Sequence, residues 1–134
     1  MTDNPTVSVI IPTYNRAHTL GRAIDSVLHQ THPADEIIIV DDGSTDDTAA
    51  LLENYSDLIH LEQKNAGVST ARNTGIAQAS SSWIALLDSD DEWLPSKLQH
   101  QLATIAEQPD TRICHSDEIW IRNGRRVNPG QKAY

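Results

Sequence analysis

A lone cysteine, Cys114, is all the thiol in this chain of 134 residues, so no internal disulfide can staple it and core packing in a strand is its expected role. Basic residues are scarce too. Ten Lys and Arg stand against 19 Asp and Glu, a formal net charge of -9, which argues against nucleic acid or an anionic membrane surface as a partner. No apolar run approaches the length of a membrane span, and Met1 to Thr6 has neither the basic region nor the apolar core of a signal peptide, so a cytoplasmic location is the expectation. A Gly-x-Ser-x-Gly elbow, a Gly-rich loop ending in Lys-Ser or Lys-Thr and a Gly-x-Gly fingerprint are all missing, which removes the usual hydrolase, P-loop and dinucleotide readings. Six histidines are present, but His29 and His32 straddle a helix end while His18, His60, His100 and His115 are scattered, so no closed zinc site is expected. Internal repeats and low-complexity runs are absent as well.

What remains is an ordinary globular composition, 38% hydrophobic and 22% charged, at a length that suits one domain. Two kinds of segment alternate along it. Val7 to Pro12, Glu36 to Val40, Leu58 to Leu61, Trp83 to Leu87 and Arg112 to His115 read as strands, the first two rich in β-branched residues and buried. Leu20, Ala23, Ile24, Val27 and Leu28 recur at helical spacing, which predicts a helix ending near Thr31, ahead of Pro33. A second helix is expected after Ser44-Thr45-Asp46-Asp47, with Ser44 or Thr45 as its cap and Leu51, Leu52 and Tyr55 toward the core. A third should span Val68 to Ala79, and a fourth should start near Pro95 with Leu98, Leu102, Ile105 and Ala106 on one face. Such alternation implies an α/β fold, a mostly parallel sheet with helices on both faces. Asn123-Gly124, between Arg122 and Arg125, suits a tight hairpin, so the end of the chain is expected to turn antiparallel. Nothing in Pro129-Gly130-Gln131-Lys132-Ala133-Tyr134 looks like a closing element, and an incomplete domain is the expectation.

The densest chemistry lies where Trp83-Ile84-Ala85-Leu86-Leu87 runs into Asp88-Ser89-Asp90-Asp91-Glu92. Open α/β sheets bind ligands at the carboxyl ends of their strands, and crowded carboxylates there raise one another's pKa or require a counter-ion. Hard oxygen donors suit Mg²⁺ or Mn²⁺. In an extended stretch Asp88 and Asp90 point the same way and Ser89 the other, so the pair can present two carboxylates to one ion that handles a phosphate. Asp91 and Glu92 suit equally well the capping of the helix that follows.

The other strand ends carry further candidates. Pro12-Thr13-Tyr14-Asn15-Arg16 offers a hydroxyl and a ring that could hold a nucleobase, or it is a surface turn around a buried tyrosine. Asp41-Asp42-Gly43-Ser44 offers a carboxylate for a base N–H or a ribose hydroxyl, or simply the cap of the next helix. Arg72 lies on a helix whose amino end follows Gly67, a place that attracts anions, and Gly75 within that helix implies close packing.

Taken together, Val7-Ser8-Val9-Ile10-Ile11-Pro12-Thr13-Tyr14-Asn15, Ile39-Val40-Asp41-Asp42-Gly43-Ser44-Thr45-Asp46, Ala71-Arg72-Asn73-Thr74-Gly75 and Leu87-Asp88-Ser89-Asp90-Asp91 resemble, in order, the blocks of the family 2 glycosyltransferases with the GT-A fold. The resemblance covers residues 7 to about 95. It implies a donor site for a nucleotide diphosphate sugar, most often a UDP-sugar, and a carbohydrate or other hydroxyl as acceptor. Pro12, Thr13 and Tyr14 would form the base-binding loop, Asp42 would accept the uracil N–H, and Arg72 would lie near base and diphosphate. Asp88 would approach the ribose, and Asp90, with Asp88, would hold Mn²⁺ or Mg²⁺ across the phosphates. Enzymes of this kind generally invert the anomeric centre with a carboxylate base from a later, acceptor-binding half, and no motif carries that base onto Asp117 or Glu118. The expected domain is therefore a nucleotide-sugar-binding portion over residues 1–134. The alternatives are a module that binds nucleotide sugars without transferring them, and a sugar-phosphate nucleotidyltransferase.

Overall fold

The computed structural model describes residues 5–115 and the backbone of Ile121–Arg122 and Arg125–Arg126. Four strands, β1 (Val7–Thr13), β2 (Glu36–Asp41), β3 (Ile59–Glu62) and β4 (Trp83–Leu86), form one sheet in the order β3-β2-β1-β4. All three pairings are parallel. Each return therefore needs a crossover, supplied by α1 (Ala17–Leu28), α2 (Thr48–Leu52) and α3 (Val68–Gln78), and α4 (Lys97–Glu107) follows β4.

Strand alternation sends neighbouring residues of β1 into two different cores. Val9 and Ile11 join Ile37, Ile39, Leu52, Leu87 and the inner stripe of α1, namely Leu20, Ala23, Ile24 and Val27. Ile10 joins Ile38, Val40 and Ala71 on the opposite face, under α3. The periodicity of α1 and the continuous apolar run of β2 follow from this arrangement, since central strands are covered on both sides. Gly75 is what lets α3 lie close: a Cβ there would sit 2.6 Å from Ile10 Cγ2 and 3.2 Å from Val40 Cγ2. The inferred close packing at Gly75 is thus present.

Several expectations need correction. Arg112 to His115 forms no strand, and Ile113 is 83% exposed. A β-branched residue favours a strand only where a neighbour offers ladder bonds and an apolar face, and neither meets this segment among the described residues. Cys114 is accordingly half-buried outside any strand instead of packing in one. The second helix begins at Thr48 with Asp47 in the cap position, not at Ser44 or Thr45. Ser44 Oγ instead accepts the Asn15 N–H (2.9 Å), and the Thr45 hydroxyl donates to Asn15 Oδ1 (3.4 Å), so the residues expected to cap are tied up in the loop. The fourth helix starts at Lys97 behind Ser96, which leaves Asp91 and Glu92 too far upstream to cap it. At the carboxyl side the two short strands, β5 (Ile121–Arg122) and β6 (Arg125–Arg126), pair antiparallel as expected. Asn123, Gly124, Asp117 and Glu118 and the closing segment 129–134 lie outside the described residues.

Candidate functional site

The candidate residues gather at the carboxyl edge of the sheet, on the ends of β1, β2 and β4 and the first turns of α3. Asp88, Ser89, Asp90 and Asp91 form a tight turn rather than an extended stretch, closed by the Asp91 N–H on the Asp88 carbonyl (3.1 Å). Ser89 tucks inward, 7% exposed, and the turn brings carboxylate oxygens of Asp88, Asp90 and Asp91 within 4.8 Å of one another. Asp88 and Asp90 therefore do converge, by a turn instead of by strand alternation, and Asp91 joins them. Among the described residues Arg72 faces this charge closely, its Nη2 donating to Asp88 Oδ1 at 2.9 Å. The Arg72 Nε–H is buried and has no partner among the described residues. Arg22 Nε stands 3.9 Å from Glu92 at the far end of the turn, where both side chains are mostly exposed and the pair contributes little.

Asp42 is organised in the opposite way. It is 3% exposed, and its carboxylate accepts from Gln63 Nε2 (2.8 Å), Ala66 N (2.8 Å), Gly67 N (3.0 Å) and Asn65 Nδ2 (3.2 Å). Burial pushes this carboxyl up, but the bonds from Gln63, Ala66 and Gly67 prevail and hold it below the usual carboxylate value. A carboxylate has about four acceptor directions, and here all are used, so a base N–H reaches Asp42 only by displacing Gln63 or Asn65. Gln63 is itself held, its Oε1 receiving the Thr74 hydroxyl at 2.6 Å. The network fixes the loop before α3, where Gly67 has φ +100, a conformation few side chains tolerate.

On β1, Pro12 and Thr13 are buried, and the Thr13 hydroxyl has no partner among the described residues. Tyr14 follows at 48% exposed, so the turn does not surround a buried tyrosine. Asn15 adopts φ 51, and its side-chain oxygen accepts from Thr45 N (2.8 Å) and Asp46 N (3.3 Å). The loops after β1 and β2 thus hold each other.

Four things escaped the sequence reading: the saturation of Asp42, the Gln63–Thr74 support, the participation of Asp91 and a second cluster at the far edge. In that cluster oxygens of Asp41 and Glu62 and a nitrogen of His60 also lie within 4.8 Å, because the parallel register sets Asp41 beside Glu62. Linear spacing carries no signal for it, since the three groups come from two strands. Asn15 alone had a local signal, asparagine being among the few residues at ease with positive φ.

The sequence matches Glycosyl transferase family 2 over residues 8–129. The chain belongs to that family. This family 2 chain is 42% identical over 110 residues to TuaG of Bacillus subtilis (strain 168), a glycosyltransferase named for teichuronic acid biosynthesis, covering 78% of the chain and 43% of TuaG. It is 39% identical over 118 residues to the uncharacterized glycosyltransferase YibD of Escherichia coli (strain K12), covering 85% of the chain and 34% of YibD. Among solved structures it is similar to S. aureus TarS 1-349 in complex with UDP, with TM-score 0.72 and 32% identity over 78% of this chain and 33% of that one. It is also similar to the mannosyltransferase PcManGT from Pyrobaculum calidifontis in complex with GDP-Man and Mn²⁺, with TM-score 0.63 and 28% identity over 82% of this chain and 34% of that one. The architecture is the GT-A fold. The family 2 chain therefore spans well under half the length of these relatives. Among the described residues no helix is long and apolar enough to cross a membrane.

Proposed function

We propose that residues 1–134 form the nucleotide-sugar-binding part of a glycosyltransferase that moves a sugar from a nucleotide diphosphate sugar, a UDP-sugar, to an acceptor hydroxyl with inversion, acting in the cytoplasm. The observation that carries this reading is the convergence of Asp88, Asp90 and Asp91 at the end of β4, three carboxylates of which Asp88 is bonded by Arg72. Such a set fits a hard divalent ion, Mn²⁺ or Mg²⁺, held by Asp88 and Asp90. The relatives support it further, TarS being known with UDP and PcManGT with GDP-Man and Mn²⁺.

The groups divide the task by their chemistry. The half-exposed Tyr14 ring offers a stacking face for the base, and the buried Thr13 hydroxyl, without a partner among the described residues, becomes a donor beside it where the loop opens. Arg72, about a third exposed at 34%, brings a guanidinium suited to a phosphate oxygen or a base carbonyl. Asp42 frames the base end through the loop it holds, and it reads the base directly if Gln63 or Asn65 yields. A bound divalent ion supplies Lewis-acid stabilisation of the charge that builds on the departing nucleoside diphosphate. In the transfer the acceptor oxygen bonds to the anomeric carbon as the carbon–oxygen bond to the diphosphate breaks, and the acceptor proton passes to a carboxylate base.

Calorimetric titration of UDP with and without Mn²⁺ tests the site. Affinity should rise with the ion, and Asp90→Ala should abolish that rise. Affinity indifferent to both the ion and the substitution would sink the proposal.

A further inference from the structure

The acidic turn is held from behind through its backbone, by bonds from β1, α1 and the residues just past α1. At its start, the Leu87 N–H donates to the Ile10 carbonyl of β1 (3.0 Å). At its end, the Trp93 N–H donates to Ser26 Oγ on α1 (3.0 Å), and that hydroxyl donates to the Ala23 carbonyl (2.7 Å). Gln30, just past α1 and only 6% exposed, uses both ends of its carboxamide. Its Nε2 donates to the Ser26 carbonyl (3.0 Å) and the Leu94 carbonyl (2.8 Å), and its Oε1 accepts the Leu98 N–H (3.0 Å). The Thr31 N–H adds a bond to the Pro95 carbonyl (2.9 Å). Residues 88–92, bearing four of the chain's acidic side chains, are thus pinned at both ends while their own charges push them apart.

We propose that Gln30 and Ser26 are positioning residues for the divalent ion. They set its affinity by keeping the turn closed, so that Asp88 and Asp90 stay convergent before the ion arrives. The inference rests on the reading of those two carboxylates as the ion's ligands. If filling the junction between α1 and α4 were the only task, an apolar side chain of Gln30's length would serve. The carboxamide instead bonds the backbone at Ser26, Leu94 and Leu98, a fastening that directs the chain path and not only its packing. Because ligands that are already gathered lose little freedom on binding, loosening the fastening should weaken the ion more than the nucleotide.

The test is UDP titration with and without Mn²⁺ on wild type, Gln30→Met, Ser26→Ala and Ser26→Thr. In Gln30→Met the strengthening of UDP binding by Mn²⁺ should fall about tenfold, with metal-free UDP affinity kept within about twofold. Ser26→Ala should show a smaller loss of the same kind, and Ser26→Thr, which keeps the hydroxyl, should restore it. Ser26→Ala removes one tie to the turn, at Trp93, and one bond within α1, so it remains informative if Gln30→Met does not fold. Unchanged strengthening in both variants overturns the positioning role, as does an equal loss of UDP affinity with and without the ion, which is what mere packing would give. Wild-type binding that Mn²⁺ does not strengthen overturns the ion site and the positioning role together.

Discussion

Two carboxylate sites at the same edge of one sheet are built on opposite principles. Asp42 is buried and accepts four hydrogen bonds, while Asp88 is about half exposed, is bonded by Arg72 and lies within 4.8 Å of two further carboxylates. Hydrogen bonds to a buried charge hold the fold together, because each donor would be stranded if the charge were removed. Crowded, exposed charges do the reverse: they cost stability and gain by meeting a cation. Acids from strand ends on either side of β1 thus divide between building the pocket and filling it.

The largest expected effect separates the two sites on stability. Asp42→Ala strands the Ala66 and Gly67 N–H groups and should lower unfolding free energy by roughly 3–5 kcal/mol in urea titration, whereas Asp90→Ala should change it by less than about 0.5 kcal/mol. Equal losses would break the comparison. Next comes ligand binding, where the order reverses: Asp90→Ala should cost at least about 1.4 kcal/mol, a tenfold loss, in Mn²⁺-supported UDP affinity. Gln63→Leu, which removes one of four donors to Asp42, should cost about 1 kcal/mol of stability and leave the ion's effect on UDP binding intact. The smallest effect lies in pH. Because the folded Asp42 carboxyl sits below its ordinary value of 3.8, its contribution is present above that pH and is lost as the pH falls through the folded value. Asp42→Asn should therefore flatten the acid limb of a stability–pH curve. Asp46, held low first by the Thr48 hydroxyl and despite burial, titrates in the same direction and will leave part of the slope behind.

Much of this was legible in the residues. The stripe on α1, the β-branched runs of β1 and β2, and Gly75 against Ile10 are local consequences of period and size. Arg112 to His115 differs, since its composition favours a strand that nothing adjoins among the described residues, and so does Ser44, whose hydroxyl serves a neighbouring loop instead of its own helix. Propensity describes what a segment can do alone. Register, and the donors that happen to be nearby, decide what it does in the fold.

By itself the sequence determined the alternation of strands and helices, the parallel sheet with two apolar cores, and which strand ends carry acids, because these depend on periodicity within a single segment. Only the tertiary structure decided that Asp91 joins Asp88 and Asp90, that Arg72 faces them, that Asp42 is saturated, and that Gln30 fastens the turn from behind. The last three are meetings of groups from different segments and the first depends on a turn where an extended strand end was expected; hydrogen bonding and charge act on distance in space, which residue order does not encode locally.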